Sequence, residues 1–357
     1  MRVAMVSGSL PPDACGIGDY SARLADALGR LGGFQVECWT RRGWAGGAGE
    51  DARANLGFGP AGMLDLVKAI RRFRPDLVHL QFPTQGYGRR IVPWLLPVVA
   101  RAMGVAVVVT WHEHLATLVP RELLSAAVCA GVVVVRPDFS ARMRWPLRLV
   151  LGRTPLRFIP GASALPTVAL DEHARAAERR RLGVEGGIVV GYFGFVYPAK
   201  GVADLFRILD PQRHRLLLIG QLDPREAYQA EVHAALAAPP WSGRAVSTGF
   251  LPAEAAARAL AACDAVLLPF RDGGGVWNSS LHAALQQGTP VVTTGRDPSA
   301  LAATGPVRTC LPGDAAGLQA AVDAVAGQRV PTDRDADAEW RRIAGAHRDL
   351  YAQVLAP

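Results

Sequence analysis

A chain of 357 residues, half of them hydrophobic, is long for one domain and comfortable for two. No run of eighteen apolar residues occurs, which excludes an ordinary transmembrane helix, and five scattered cysteines without a CxxC pair argue against a zinc site or a disulfide framework. The net charge of +8 sits in one half: residues 1–165 hold twenty Lys or Arg against eleven Asp or Glu, and the remainder nineteen against twenty.

A net of +9 in the first half suits an anionic partner, whether a phosphorylated ligand, a membrane surface or a nucleic acid. Thirty-seven of the thirty-nine basic residues are Arg, a bias that genome composition also produces. The two lysines, Lys68 and Lys200, stand out against it. Residues 1–6 are too short for a signal h-region and read as a first strand, and the unpaired thiols point to a reducing, cytoplasmic setting.

Apolar runs of strand length recur at residues 3–6, 34–39, 77–80, 105–110, 132–135 and 156–159. Helical patterns separate them, with Tyr20, Leu24, Leu28 and Leu31 on one face and Leu64, Val67 and Ile70 on another. This alternation predicts an α/β, doubly wound parallel sheet. The first crossover carries Gly8, Gly16 and Gly18, with a helix expected from about Asp19. The spacing is not a dinucleotide fingerprint, but Gly16 and Gly18 at a helix start allow close backbone approach to a ligand. Residues 81–90 read as a polar-aromatic loop past a strand, and 91–103 as a buried helix or an interfacial anchor despite Pro93 and Pro97. His112 follows the strand at 105–110, where such sheets place ligand contacts. His112 and His114 lie two apart, not at the i, i+4 spacing of a helical zinc motif.

Residues 141–158 hold Arg142, Arg144, Arg148, Arg153 and Arg157 around Trp145, a segment that suits anionic lipid, an anionic acceptor or a solvated basic face. No RNA- or DNA-binding motif accompanies it, so nucleic acid is not expected. A change of character near residue 165 marks a domain boundary. It is followed by a linker and helix to about 185.

The alternation restarts with strands expected at 188–193, 215–219, 245–248, 265–268, 291–294 and 307–309. Two similar α/β halves imply a cleft between them. Residues 191–201 run from strand through loop to helix, with Lys200 at the helix start and Leu205, Ile208 and Leu209 on its apolar face. An ammonium there suits a diphosphate. Residues 265–294 read as strand, glycine-rich loop (Asp272, Gly273, Gly274, Gly275), cap types Asn278, Ser279 and Ser280, helix, turn and strand. That pattern fits an ordinary βαβ connection and a phosphate-binding element equally well. A last helix is expected over 335–355, with Trp340, Ile343, His347, Leu350 and Val354 on one face.

Taken together, these motifs resemble the retaining family 4 (group 1) glycosyltransferases of the GT-B fold. PPDACGIGDYSARLADAL at 11–28 is similar to the family's opening loop, and VTWHE at 109–113 to its VTxH strand end. GYFGFVYPAKG at 191–201 is similar to FxGRxxxxKG, and TGFLP at 248–252 to a base-contacting loop. ACDAVLLPF at 262–270 with LHAALQQGTPVVTT at 281–294 resembles the family's donor-binding segment. The resemblance implies two Rossmann-like domains: an acceptor domain over 1–165 and a donor domain over 166–335. A helix over 336–357 would return to the first.

It further implies a nucleoside-diphosphate sugar as co-substrate, no cofactor and no metal. The transfer would go to a hydroxyl acceptor with retained configuration. Lys200 and the Gly16–Gly18 backbone would hold the diphosphate, and His112 would contact the sugar. Gly194, Phe250, Leu251, Asp272, Gly274, Gly275, Asn278, Ser279, Ser280 and His282 would line the donor, and Gln81, Thr84, Tyr87 and Glu113 the acceptor. Two departures stand against this pattern. The family's glutamate pair falls on Gly274 and His282, with Asp272 nearby, and its phosphate-binding arginine falls on Phe195. A catalytically silent nucleotide-sugar binder and a sugar-nucleotide epimerase are the alternatives. Membrane contact is expected to be peripheral, weak and salt-sensitive at the cytoplasmic face.

Overall fold

The computed structural model describes residues 1–44, 52–88, 90–114, 120–297, 301, 306–329 and 335–356. The chain divides into two compact units, Met1–Gly161 with Asp337–Pro357, and Ala162–Ala336.

The first unit is built on seven parallel strands: β1 (Arg2–Val6), β2 (Gln35–Arg41), β3 (Ala52–Leu56), β4 (Leu77–Phe82), β5 (Ala106–Trp111), β6 (Gly131–Val134) and β7 (Leu156–Phe158). They lie in the order β3-β2-β1-β4-β5-β6-β7. A parallel sheet is covered on both faces, so its central strands must be apolar throughout. Val3–Val6, Val107–Val109 and Val132–Val134 are accordingly buried. The strand order reverses between β1 and β4, where the crossovers leave to opposite faces and the C-terminal strand ends open a crevice.

The helix after β1 spans Gly16–Arg30, three residues earlier than expected, with Cys15 in extended conformation before it. On the helix Gly62–Phe73 the buried stripe is Leu66, Ala69, Ile70 and Phe73, whereas Leu64 points to solvent. That stripe follows i, i+3, i+4, i+7, which corrects the face read from Leu64 and Val67. Strand β3 was not anticipated: Ala-Arg-Ala-Asn-Leu has no apolar run, and it forms by pairing with β2 at the sheet edge.

The closing helix, Ala336–Leu355, belongs to this unit, although 175 residues of the other unit intervene. It buries Trp340, Ile343, Ala344, His347, Leu350 and Tyr351. Trp340 meets Tyr20 of the first helix edge-on at 5.4 Å, and Asp337 lies 3.7 Å from Arg30.

The second unit repeats the plan with β8 (Ile188–Phe193), β9 (His214–Ile219), β10 (Ala245–Ser247), β11 (Ala265–Leu268), β12 (Val291–Thr294) and β13 (Val307–Cys310). Its parallel order, β10-β9-β8-β11-β12-β13, reverses between β8 and β11. The core is aliphatic, from Val189, Val190 and Leu216–Leu218 to Val266–Leu268 and Val291–Val292. Gly191 is in the middle of β8 because a Cβ there would meet the Cys263 thiol at 2.6 Å. The GT-B fold read from the motifs is therefore present as two Rossmann-like sheets and a closing helix on the first. No helix among the described residues is long and apolar enough to cross a membrane.

Candidate functional site

In the second unit the strand ends at the β8/β11 reversal are occupied by Lys200. It closes a short 3-10 turn, Pro198–Lys200, in which its N–H bonds the Tyr197 carbonyl at 2.9 Å. Gly201 follows with φ +68°. Its missing Cβ lets the turn press against the Pro269 carbonyl at the end of β11. The Arg271 N–H reaches back to the Ala199 carbonyl at 3.0 Å, so the two strand-end loops are stitched together. The Lys200 ammonium lies 4.4 Å from the Phe270 ring centroid and 5.5 Å from that of Tyr197. Aromatic faces hold a cation while leaving its hydrogen-bond donors usable.

The loop beyond β11 is held by its own backbone. The Gly274 N–H donates to the Thr294 carbonyl at 2.7 Å, and the Gly275 N–H to the Asn278 side-chain oxygen at 2.8 Å. Asn278 precedes the helix Ser279–Gln286, but its side chain turns away from it and caps none of its N–H groups. The first turn, with Ser279 exposed and Ser280 buried, thus keeps its dipole end uncapped by Asn278. A Cβ on Gly274 would lie 2.7 Å from both the Phe270 ring and the Thr293 hydroxyl, and one on Gly275 would enter the Trp277 indole. An acidic side chain at Gly274 is therefore incompatible with this loop as built. His282 is buried, and its Nε2 bonds the Val276 carbonyl at 2.7 Å. It braces the loop where the resemblance places a donor-gripping glutamate. Asp272 is exposed on the same loop.

Around these strand ends stand exposed aromatics: Phe195, Tyr197 and Phe250, the last 63% exposed. Leu251 packs inward against the core. Gly194 has φ +134° and donates to the Ile219 carbonyl at 3.1 Å, so its glycine is required by the backbone itself. A cavity of about 410 Å³ opens past β11, β12 and β13, with Asp204, Arg207, Pro269, Arg271, Thr294 and Gly313 in its wall. Arg271 is paired with Asp204 at 3.1 Å. Sequence reasoning missed Arg271. Its position, three residues past the last residue of a strand, was the available signal.

In the first unit the loop after β1 interlocks with the loop after β4. The Gly8 N–H donates to the Thr84 hydroxyl and the Gly86 N–H to the Ser9 hydroxyl, both at 3.0 Å. The Tyr87 hydroxyl reaches the Val6 carbonyl at 3.2 Å. Thr84 and Tyr87 are buried, and Gln81 is fully buried beneath them. These three were expected to face an acceptor. Their polar atoms are used to fasten the loop or, for Gln81, the core. Glu113 is exposed, bound to Arg136 at 2.6 Å. Gly18 is buried, and a Cβ there would sit 2.8 Å from the Ser9 carbonyl oxygen, so it seats the helix on its entry loop. Gly16, half-buried, is the first helical residue. Asp19 in that first turn has its carboxyl pushed up to about 6 by burial, against the opposing pull of Arg23. It too went unmarked in the sequence.

His112 follows β5, anchored by its N–H on the Phe82 carbonyl at 2.9 Å. Its Nε2 meets Gln81 Oε1 at 2.9 Å, and the Tyr20 ring stands edge-on at 5.0 Å. Burial, with His347 nearby, pulls its pKa down to about 3, so the imidazole is neutral at physiological pH. Behind it His79 bonds Tyr351 at 2.6 Å and Thr110 at 2.7 Å. No group of three His, Cys, Asp or Glu side chains arranged to hold a metal occurs among the described residues.

Residues 187–327 match the family model described as glycosyl transferases group 1. The 2-deoxystreptamine glucosyltransferase of Streptomyces kanamyceticus is 29% identical over 266 residues, covering 66% of this chain and 63% of that protein. The match thus spans less than two thirds of that relative's length. Among solved structures, sucrose-phosphate synthase from Thermosynechococcus elongatus has a TM-score of 0.70 at 18% identity, covering 99% of this chain and 97% of the other. Anabaena HepE in complex with UDP and glucose has a TM-score of 0.69 at 17% identity, covering 99% and 95%.

Proposed function

We propose that this chain, a group 1 glycosyltransferase by the match of its residues 187–327 and by its GT-B fold, transfers a hexose from a UDP-sugar to a hydroxyl acceptor with retained configuration. The observation that carries the reading is the placement of Lys200 at the strand reversal of the second unit, held on Phe270 and Tyr197 beside a glycine-rich loop and an uncapped helix start. Departure of a nucleoside diphosphate builds negative charge on the leaving oxygens, and fixed donors aimed there lower the barrier. Lys200 supplies the mobile cation and the Ser279–Ser280 backbone the fixed N–H groups. Phe250 offers a face for the base, and the glycine backbone at 273–275 contacts the sugar. For the first unit the family resemblance assigns the Gly16–Gly18 N–H groups to the diphosphate and neutral His112 to the sugar. His112 acts as a hydrogen-bonding group and not as the base: a neutral imidazole whose pKa is about 3 is a poor proton acceptor at pH 7. The choice of UDP and a hexose is supported by HepE, solved with UDP and glucose, and by a relative named as a glucosyltransferase.

The test is turnover of a UDP-hexose panel, as slow hydrolysis and as transfer to hydroxylated acceptors, by the wild type and Lys200→Ala. A fall in turnover of roughly 10²–10³-fold on the substitution is expected. Tight UDP binding without turnover under any acceptor would instead mark a silent binder, and an epimerised UDP-sugar as product an epimerase.

One surface favours a peripheral membrane contact for the first unit. On the helix Trp145–Leu151, Leu147 and Leu151 are buried, while Trp145 and Leu149 lie opposite them, 75% and 73% exposed. Arg142, Arg144, Arg148, Arg153 and Arg157 are exposed in the same acid-free segment, 139–158. An outward Trp and Leu among arginines suit an anionic lipid headgroup layer. Co-sedimentation with anionic vesicles at low salt is expected, and its absence removes this contact.

A further inference from the structure

We infer that Gln81 is a positioning residue: it fixes the tautomer and plane of His112, and is itself held by a hydrogen-bonded chain that ends on Tyr351 of the closing helix. The inference rests on the placement of His112 at the sugar proposed above.

The side chains of Gln81 and His79 alternate down β4 onto the same face of the sheet, two residues apart. Both are fully buried, so every polar atom they carry needs a partner within the protein. The Gln81 oxygen lies 2.9 Å from His112 Nε2, and its nitrogen 3.2 Å from both His79 Nε2 and Met5 Sδ. A thioether has no proton to give, so the amide side facing Met5 is the NH2 side. That choice propagates. The amide oxygen only accepts, so His112 carries its proton on Nε2. The NH2 only donates, so His79 Nε2 is bare and also accepts from the Thr110 hydroxyl at 2.7 Å. The His79 proton is then on Nδ1, donating to the Tyr351 hydroxyl oxygen at 2.6 Å.

A third ring closes the arrangement without contradiction. His347 Nδ1 lies 2.8 Å from the Ile343 carbonyl, which can only accept, so that nitrogen holds the proton. Its ring centroid is 5.5 Å from that of His79. All three imidazoles are held neutral by burial, which leaves the tautomer as their one remaining freedom. Tyr20 and Trp340 form the side wall that keeps the His112 plane in place.

The consequence concerns what His112 offers a ligand. With Nε2–H spent on Gln81, only the Nδ1 lone pair is left, so His112 accepts a hydrogen bond from a hydroxyl and cannot donate one to an anionic oxygen. Tyr351, 239 residues later in the sequence than His112, thereby helps define the chemistry of that strand end. The first unit is not complete in its binding chemistry until Tyr351 has docked.

The experiment is a two-bond ¹H–¹⁵N correlation spectrum of the ¹⁵N-labelled full chain, with His112 assigned by its loss in His112→Gln. A protonated Nε2 and a bare Nδ1 on His112 in the wild type are expected. In Gln81→Leu both tautomers should appear, and kcat for the UDP-sugar reaction should fall about fivefold to tenfold, the size of one misdirected hydrogen bond, with donor KM little changed. Gln81→Glu keeps an accepting oxygen toward His112 and should restore the single tautomer and most of kcat. An Nδ1–H tautomer in the wild type, or one unmoved in Gln81→Leu, overturns the inference. If the tautomer behaves as described but His112→Gln transfers sugar at the wild-type rate, the positioning role stands and the placement of His112 at the sugar fails.

Discussion

The two units share a strand plan and differ in what they bury. Both reverse strand order beside their first strand, between β1 and β4 in one and β8 and β11 in the other. The first unit sinks a polar chain into its sheet: Gln81, His79 and Thr110 are all fully buried and joined through His79, which also reaches Tyr351. The second is mainly aliphatic in its strands: its buried strand polar groups, His214, Thr293 and Thr294, pair with Asp323 or the backbone, and ion pairs such as Arg179 with Asp264 at 2.6 Å stand at strand ends. A satisfied polar chain specifies one arrangement of side chains, because each misplaced partner leaves a buried group unpaired. A glycine-rich rim specifies backbone instead: the N–H groups of Gly273, Gly274 and Gly275 are all bonded within the rim, and the uncapped helix start that follows is the element left to meet a ligand. On the proposed function, the first unit orients one imidazole and the second receives phosphate.

Four measurements would break or sharpen this contrast. The largest effect belongs to the second unit: Lys200→Ala should lower kcat/KM for the UDP-sugar reaction by roughly 10²–10³-fold, as loss of a preorganised charge-stabilising group does. A change below threefold would remove the phosphate role from this rim.

The second is acid unfolding. His112 and His347 have folded pKa values of about 3 and 4, below the ordinary 6.5, and His79 is also depressed, each by burial first. The unfolded chain therefore binds more protons, so the first unit loses stability as pH falls from about 6.5 toward 4. The His347 contribution is at most about 3 kcal/mol at 1.36 kcal/mol per pKa unit. Asp19, raised to about 6, works in the opposite sense between 3.8 and 6, and one carboxyl does not offset three imidazoles. In the second unit, burial opposes ionisation of Glu178 and Asp323, but Arg181 and Arg258 in one case and His214 and Arg213 in the other hold their pKa values low. That unit should weaken only below about pH 4, the ordinary carboxylate range. Fluorescence and calorimetric scans from pH 7 to 4 would separate the transitions. Simultaneous loss of both would contradict the contrast.

Third, Gly274→Glu, which restores the acid of the resembled family, should destabilise the second unit by about 1–3 kcal/mol, since the new Cβ overpacks against Phe270 and Thr293. Recovered activity at unchanged melting temperature would show that the loop can re-form around an acid. Smallest in stability is the pair Trp145→Ala with Leu149→Ala, expected to stay within about 0.5 kcal/mol because neither side chain is buried. It should nevertheless abolish co-sedimentation with anionic vesicles.

Strands with continuous apolar runs were legible residue by residue: 188–193, 265–268 and 291–294 were read with the bounds observed. Short edge strands were not, because β3 is stabilised by its pairing partner and not by its own composition. Lys200 was legible as one of only two lysines, although it closes a 3-10 turn and the helix expected at it begins only at Leu205. The burial of Gln81, Thr84 and Tyr87 was not, because polar residues past a strand look alike in sequence whether they meet a ligand or a neighbouring loop.

By itself, then, the sequence determined a paired α/β architecture, the basic first half and the glycine-rich loop at 273–275. Local pattern suffices for these, since hydrophobic period and backbone permissiveness are properties of contiguous residues. Only the tertiary structure decided which protons His112 and His79 carry, why Gly274 excludes an acid, and that His282 braces a loop. Each depends on an atom contributed by a distant segment: Tyr351 for His79, Thr293 for Gly274, and for His112 an amide whose orientation is set by Met5.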